Sequence, residues 1–255
     1  MNDAAQPRRR GLVLPAVLAL AAFIVLIALG AWQMERKAWK DALIAALAER
    51  LAAAPSALPP RAGWASLDQA DEEFRRVVFS AEFMHAHEAL VYTSGSSLRP
   101  DVKEPGYWVF TPARLSDGGL VVVDRGFVPE GRQDPKTRAQ GQVAGVVHVT
   151  GILRWPEARG LFTPGDEPAK NLWFVRDHPA MAAAKGLGAV APFVVSQEFP
   201  AAPGGLPRAG PVKPNLPNNH FSYALTWYGL ALVLVAVFAA WMVSQRRAAK
   251  VGNGE

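Results

Sequence analysis

The chain has 255 residues, half of them hydrophobic, with no cysteine and a formal net charge of +5. That length allows one ordinary domain with membrane spans beside it, and the lack of cysteine excludes disulfides, thiolate metal centres and cysteine nucleophiles. The basic excess is concentrated in Arg8, Arg9 and Arg10 before the first apolar run and in Arg246, Arg247 and Lys250 after the last; such clusters mark cytoplasmic flanks of membrane spans and need no nucleic acid to explain them.

In chain order, residues 1–11 read as a basic cytoplasmic N-terminus and 12–31 as a first transmembrane helix, since about 20 apolar residues span a bilayer core. A cleavable signal peptide ending near Ala28-Leu29-Gly30 is the competing reading; the uninterrupted apolar length and the interfacial Trp32 favour a retained anchor. Helical periodicity continues through Ala42, Leu43, Ala46, Leu47 and Leu51, which predicts a leading helix over 32–54. Ala54-Pro55 ends it and Leu58-Pro59-Pro60 opens a linker.

From Phe74 the pattern becomes that of strands. Expected strands run over 74–83, 89–93, 106–112, 120–128, 143–153, 173–175 and 191–198, with Asp117-Gly118-Gly119 as a hairpin turn. His178 to Ala184 is expected to be one short helix, with Pro179 in its first turn. Residues 200–217 are rich in Pro and Gly and read as a tether. Phe221 to Val243 carries no charge, so 220–243 is expected to be a second transmembrane helix and 244–255 a basic cytoplasmic tail. The expected protein is therefore a membrane protein of α+β class. Two transmembrane helices flank a β-rich extracytoplasmic (periplasmic) domain over 32–219, an antiparallel sheet or barrel with short helices, because helical stretches between strands are too scarce for βαβ units. Both termini are expected in the cytoplasm, with the protein in the inner (plasma) membrane.

The candidate chemistry lies at the mouths of the two spans. Pro217-Asn218-Asn219 suits a helix start. His220, Tyr223 and Trp227 then stand at i, i+3 and i+7, on one helix face. A neutral imidazole is a common axial ligand for haem iron, and flat aromatics can lie against a porphyrin; a polar interfacial residue among aromatic-belt anchors is the alternative. Trp32, Gln33 and Arg36 sit at the equivalent depth on the first span. Arg36, Lys37 and Lys40 could receive carboxylates such as haem propionates, or could contact lipid headgroups. Met84, His85 and His87 would suit copper if both imidazoles shared a strand face, with a solvated strand end as the alternative. Arg125-Gly126 and Arg176-Asp177 place arginines at strand ends, where anchoring of loops is the default role. No G-x-S-x-G or P-loop is present, and Asp and Glu are scattered without an obvious acid/base pair.

Four motifs together resemble the Surfeit locus protein 1 family: Gly30-x-Trp32-Gln33-x-x-Arg36; Pro105-Gly106-Tyr107 leading to Thr111-Pro112 and Arg125-Gly126-Phe127-Val128-Pro129; Trp173-x-x-Arg176-Asp177; and Pro217-Asn218-Asn219-His220-x-x-Tyr223-x-x-Thr226-Trp227-Tyr228-Gly229. Phe127 departs from the tryptophan expected after Arg-Gly. The resemblance implies no catalysis but an assembly factor for haem–copper terminal oxidases (cytochrome c oxidase) that binds haem a transiently and assists its delivery into subunit I. It implies His220 as the axial iron ligand, with Tyr223, Trp227, Trp32, Gln33 and Arg36 around the haem. Implied partners are oxidase subunit I and membrane lipid, with haem a synthase a further candidate and no nucleic acid. A scaffold that steadies subunit I without touching haem is the alternative function.

Overall fold

The computed structural model describes residues 12–214 and 216–251. The expectations for residues 1–11 and for the last four residues of the tail lie outside them. The described chain divides into two compact units, residues 1–45 with 217–255, and residues 46–216.

The first unit is a helical hairpin. Helix α1 runs Val13–Ala52, 40 residues without a break. At 1.5 Å per residue that is about 60 Å, roughly twice a bilayer core, so the helix continues well past its apolar part. The returning helix, α4 (His220–Val251), is also long and apolar enough to cross a membrane. Buried and half-buried positions recur at alternating steps of four and three: Ala19, Phe23, Leu26, Gly30, Gln33, Lys37 and Lys40 on α1, and His220, Ala224, Trp227, Ala231, Leu234, Phe238 and Trp241 on α4. That is the heptad seam of an antiparallel helix pair. Gly30 lies tight against α4: a Cβ there would overlap the ring of Tyr228, 2.7 Å from Cζ.

The second unit is built on strands β1 (Ser56–Ala57), β2 (Arg76–Phe83), β3 (Ala89–Thr93), β4 (Gly106–Leu115), β5 (Leu120–Pro129), β6 (Val146–Arg154), β7 (Leu172–Trp173) and β8 (Val194–Phe199), with short helices α2 (Gln69–Glu72) and α3 (His178–Ala184). The strand order β2-β6-β8-β5-β4 closes on itself because β4 also pairs with β2, giving a five-stranded barrel; β3 and β7 extend it from β4. The switch lies within one strand: Gly106 to Phe110 pair with β3, while Ala113 to Leu115 pair with β2. Closure removes the open edges that a sheet of this size would otherwise expose. Pairing within the barrel is antiparallel except between β5 and β8, and the short strands β1 and β7 also pair parallel, with β2 and β3.

Each strand of the barrel contributes to one inner cluster that includes Val77, Ala113, Val123, Val149 and Val195. Trp64 closes it, edge-on to Phe193 at 5.7 Å, with its Nε1–H donating to the Pro59 carbonyl at 2.9 Å. A second cluster lies on the opposite face of the same strands and takes Val122, Trp108, Phe127 and Met181 of α3. Both faces of β5 are thus covered, which is why Val121-Val122-Val123 is a continuous apolar run rather than an alternating one.

Two expectations are corrected here. The strand expected from Phe74 begins at Arg76, because Phe74 takes φ +68° and turns the chain first. His85 and His87 do not share a strand face: they lie in a 3₁₀ turn following Met84, with the His87 N–H on the Met84 carbonyl. The ring of His85 bonds to the Val143 carbonyl at 2.8 Å and meets Arg125 at 3.3 Å. No group of histidines and acids able to hold a metal ion occurs among the described residues.

The barrel carries its own acid sensitivity. His178, the first residue of α3, is fully buried and hydrogen-bonds through Nε2 to the Ala191 carbonyl at 3.0 Å. Burial pushes its imidazole below the usual histidine range, and burial does the same to His85. The unfolded chain therefore binds more protons than the folded one as pH falls through about 6.5, so stability present above that pH is lost below it. Melting temperature should fall between pH 7.5 and 5.5, and a His178→Gln variant, which keeps a donor without titrating, should show a shallower fall. Parallel slopes for the two proteins would assign the acid sensitivity to other groups.

Candidate functional site at the helix seam

The two constellations read on separate spans meet at one hydrogen bond. Nδ1 of His220 lies 2.7 Å from Oε1 of Gln33, across 187 residues of sequence. An amide oxygen only accepts, so Nδ1 carries the proton; in the neutral imidazole Nε2 then keeps its lone pair. Gln33 is buried and His220 half-buried. A hydrogen bond to one ring nitrogen holds an imidazole in one tautomer and orientation.

The start of α4 is clamped beside this pair. The Tyr223 N–H donates to the Asn219 carbonyl at 3.2 Å, and the His220 N–H faces Asn218 Oδ1 at 3.4 Å. Asn218 Nδ2 donates to Asp41 Oδ1 at 2.8 Å, and Lys40 Nζ donates to the Pro217 carbonyl at 2.6 Å. Lys37 pairs with Asp41 at 2.6 Å; this bond first, then that from Asn218, holds the Asp41 carboxyl below the usual range. The polar knot ahead of α4 thus offers the first orphan N–H of the helix a partner and fixes the height of His220 against α1.

Of the residues expected around His220, Trp227 shares its seam, one heptad along, and its buried Nε1–H has no partner. Tyr223 stands off the seam and is 57% exposed. The i+4 position, Ala224, takes the buried place that an i+3 reading assigns to Tyr223. On α1, Trp32 is exposed. The Arg36 guanidinium lies over the Trp39 ring at 4.5 Å, one turn further on, and makes no ion pair among the described residues. Lys37 and Lys40 are committed to Asp41 and Pro217, which leaves Arg36 as the cation open to a carboxylate. Sequence reasoning missed Tyr228 as the partner of Gly30 and Asn218 as a clamp; both stand in the motifs, but only the pairing of the helices gives them a task.

The arginines at strand ends have structural surroundings. Gly126 (φ +114°) lies where the β4–β5 register shifts. A Cβ on it would stand 2.5 Å from the Ala209 nitrogen. Phe127 and Arg208 exchange backbone bonds of 3.2 and 2.7 Å, which holds the Pro- and Gly-rich stretch against the barrel. Phe127 is fully buried, edge-on to Trp108 at 5.8 Å. Arg125 donates to the Gly141 carbonyl, and burial lowers its pKa to about 10. Asp177 caps α3 through the Ala180 N–H at 3.1 Å. Ser80 and His148 hydrogen-bond at 2.8 Å, but they are exposed cross-strand neighbours on β2 and β6.

A helix pair with bilayer-spanning apolar length, joined to a closed five-stranded barrel, defines the class as a membrane protein with a small β-barrel domain. Residues 20–232 match the SURF1 family. A SURF1-like protein of Monosiga brevicollis is 36% identical over 233 residues, 88% of this chain and 85% of the relative. Surfeit locus protein 1 of Rattus norvegicus is 36% identical over 212 residues (79% and 67%), and that of Homo sapiens 34% over 216 residues (80% and 69%). The chain belongs to the SURF1 family, known in general for cytochrome c oxidase assembly factors rather than for enzymes.

Proposed function

We propose that this protein assists the assembly of a haem–copper terminal oxidase by holding haem a as cargo at the helix seam and passing it to subunit I. The observation that supports this most directly is the Gln33–His220 bond of 2.7 Å, which presents Nε2 as an available neutral donor. Iron accepts such a ligand. The surrounding groups also suit the cargo: exposed Trp32 and Tyr223 beside the seam offer flat apolar surfaces, and Arg36 offers charge for a propionate. One protein ligand at an open helix end suits a carrier, which must release what it binds. In this reading the helices span the inner membrane, both termini are cytoplasmic and the barrel is periplasmic. The contacts are subunit I, lipid and, at loading, haem a synthase.

The test is the absorption spectrum of detergent-purified protein co-expressed with haem a synthesis. Wild type should carry a haem a spectrum and His220→Ala should lose most of it, by about tenfold or more as expected for deletion of a sole metal ligand. If His220→Ala retained both haem and oxidase maturation, the ligand assignment would be wrong. Co-purification of subunit I with a haem-free His220→Ala protein that still supports maturation would favour a scaffold. The clamp of Asn218, Lys40 and Asp41 gives that second reading its footing, since it would fix the helix ends with or without cargo.

A further inference from the structure

Away from the helix seam, two arginines lie over one indole of the barrel and a third lines the cavity beside them. Arg99 and Arg176 lie over the ring of Trp108 at 5.9 and 5.0 Å, and Arg154 lines the same small internal cavity. Their partners differ. Arg99 is satisfied by a two-pronged pair with Asp101, both bonds 2.8 Å, and by the Gly210 carbonyl. Arg154 has a side chain only 8% exposed, yet its Nη1 is buried without a partner. Its other nitrogens reach Glu73 at 3.3 Å and Glu157 at 3.5 Å. Arg176 approaches Glu157 at 3.8 Å and makes no hydrogen bond among the described residues. Charge-assisted N–H···O bonds lie near about 2.7–2.9 Å. The half-exposed Glu157 carboxylate therefore sits between two cations without closing on either.

This cluster opens outward. The internal space, about 10 Å³, holds no more than a water or a single ligand oxygen. Beside it lies a cavity of about 210 Å³ that shares Arg176, Trp108 and Ser96 and has Glu157 in its wall. Tyr92, Thr93 and Phe174 line both that cavity and a shallow trough of about 540 Å³ whose far side is Leu161 and Phe162. Those two side chains are each 98% exposed. Their loop is nevertheless braced: the Gly160 N–H donates to the Thr163 hydroxyl, the Thr163 N–H donates to the Gly160 carbonyl, and Arg159 holds the Pro164 carbonyl and Asp166. A braced loop that shows two large apolar side chains to solvent, next to under-bonded arginines, is a pattern of interaction sites.

We propose that the trough and its arginine-lined cavity dock a segment of a partner protein in which a carboxylate side chain is flanked by apolar residues. The incoming carboxylate takes the place of Glu157 between Arg154 and Arg176, with an oxygen toward the unpartnered Nη1. The apolar neighbours cover Leu161 and Phe162. Glu157 is the chain's own stand-in for that group, which is why a planar carboxylate fits better than a tetrahedral phosphate. The fork geometry of guanidinium suits the same choice.

The test uses the full chain in detergent and a fluorescein-labelled, amidated pentapeptide with one glutamate between leucines, beside its glutamine counterpart. Anisotropy should show the glutamate peptide binding about tenfold more tightly. Arg176→Gln should erase that preference while keeping the wild-type circular dichroism. Glu157→Gln should tighten the glutamate peptide several-fold, because an internal competitor is gone. Equal affinity for the two peptides, or unchanged binding after Glu157→Gln in a folded protein, would overturn the proposal. Displacement of the peptide by inorganic phosphate or short-chain phosphatidylglycerol at lower concentration than by glutarate would overturn it in favour of a phosphate site. Glutarate binding as tightly as the peptide would reduce it to a small-acid site.

Discussion

Replacement of Glu88 by alanine should cost the barrel domain about 3–5 kcal/mol, because it strands a buried charge. Arg138 has a fully buried side chain, and its guanidinium meets both carboxylate oxygens of Glu88, with Nη1 to Oε2 at 3.2 Å. Two more of its N–H groups go to the carbonyls of Arg132 and Gln133 at 3.2 and 3.1 Å. Glu88 serves a second arginine as well: its charge favours the protonated form of buried Arg125, while Arg138 disfavours it. Glu88→Ala therefore leaves two buried guanidiniums without the carboxylate that favours their charge. Against a total stability of about 5–15 kcal/mol, the melting temperature should drop by roughly 10 °C or more for a domain of this size. A double replacement, Glu88→Leu with Arg138→Leu, should recover much of the loss, since removing both charges avoids the stranded one. Denaturant unfolding followed by near-ultraviolet dichroism measures it. A cost under about 1 kcal/mol for Glu88→Ala would mean that solvent reaches the pair.

The same pair shows where sequence reading stops. Arg125 is legible as an arginine at a strand end, but Glu88 and Arg138 stand 50 positions apart, in segments with no periodicity of their own. The hairpin of β4 and β5 is legible, because Asp117-Gly118-Gly119 demands a turn (Gly118 takes φ +79°) and apolar runs flank it. Barrel closure is not, since it depends on Ala113 to Leu115 leaving β3 for β2. A period of two on Met84-His85-Ala86-His87 cannot distinguish a strand from the tight turn that ends one. At the seam, the motif ahead of α4 marks His220, and Trp32-Gln33 marks α1. Their meeting is set by the register of two helices, and register follows the four-three seam that also places Ala224, not Tyr223, inward.

That register makes Gly30 the position whose substitution should separate the site from the fold. On α1 it faces the Tyr228 ring with no room for a Cβ, three residues before Gln33. Gly30→Val must push the ring away or spread the helices, at a cost of about 1–3 kcal/mol for an overpacked contact. The Gln33–His220 bond has little slack: at 2.7 Å, a shift of about 1 Å takes it beyond hydrogen-bonding distance. Haem retention by Gly30→Val should therefore fall about as far as for His220→Ala, although every proposed ligand side chain is intact, while the melting of the barrel domain stays at its wild-type value. Tyr228→Ala should restore much of the loss in the Gly30→Val background, because it reopens the space the new side chain needs. The double-mutant cycle would then show a coupling well above the few tenths of a kcal/mol expected of independent sites. Additive losses would mean that Gly30 acts through something other than Tyr228. Undiminished haem in Gly30→Val would mean that His220 does not depend on the seam for its position.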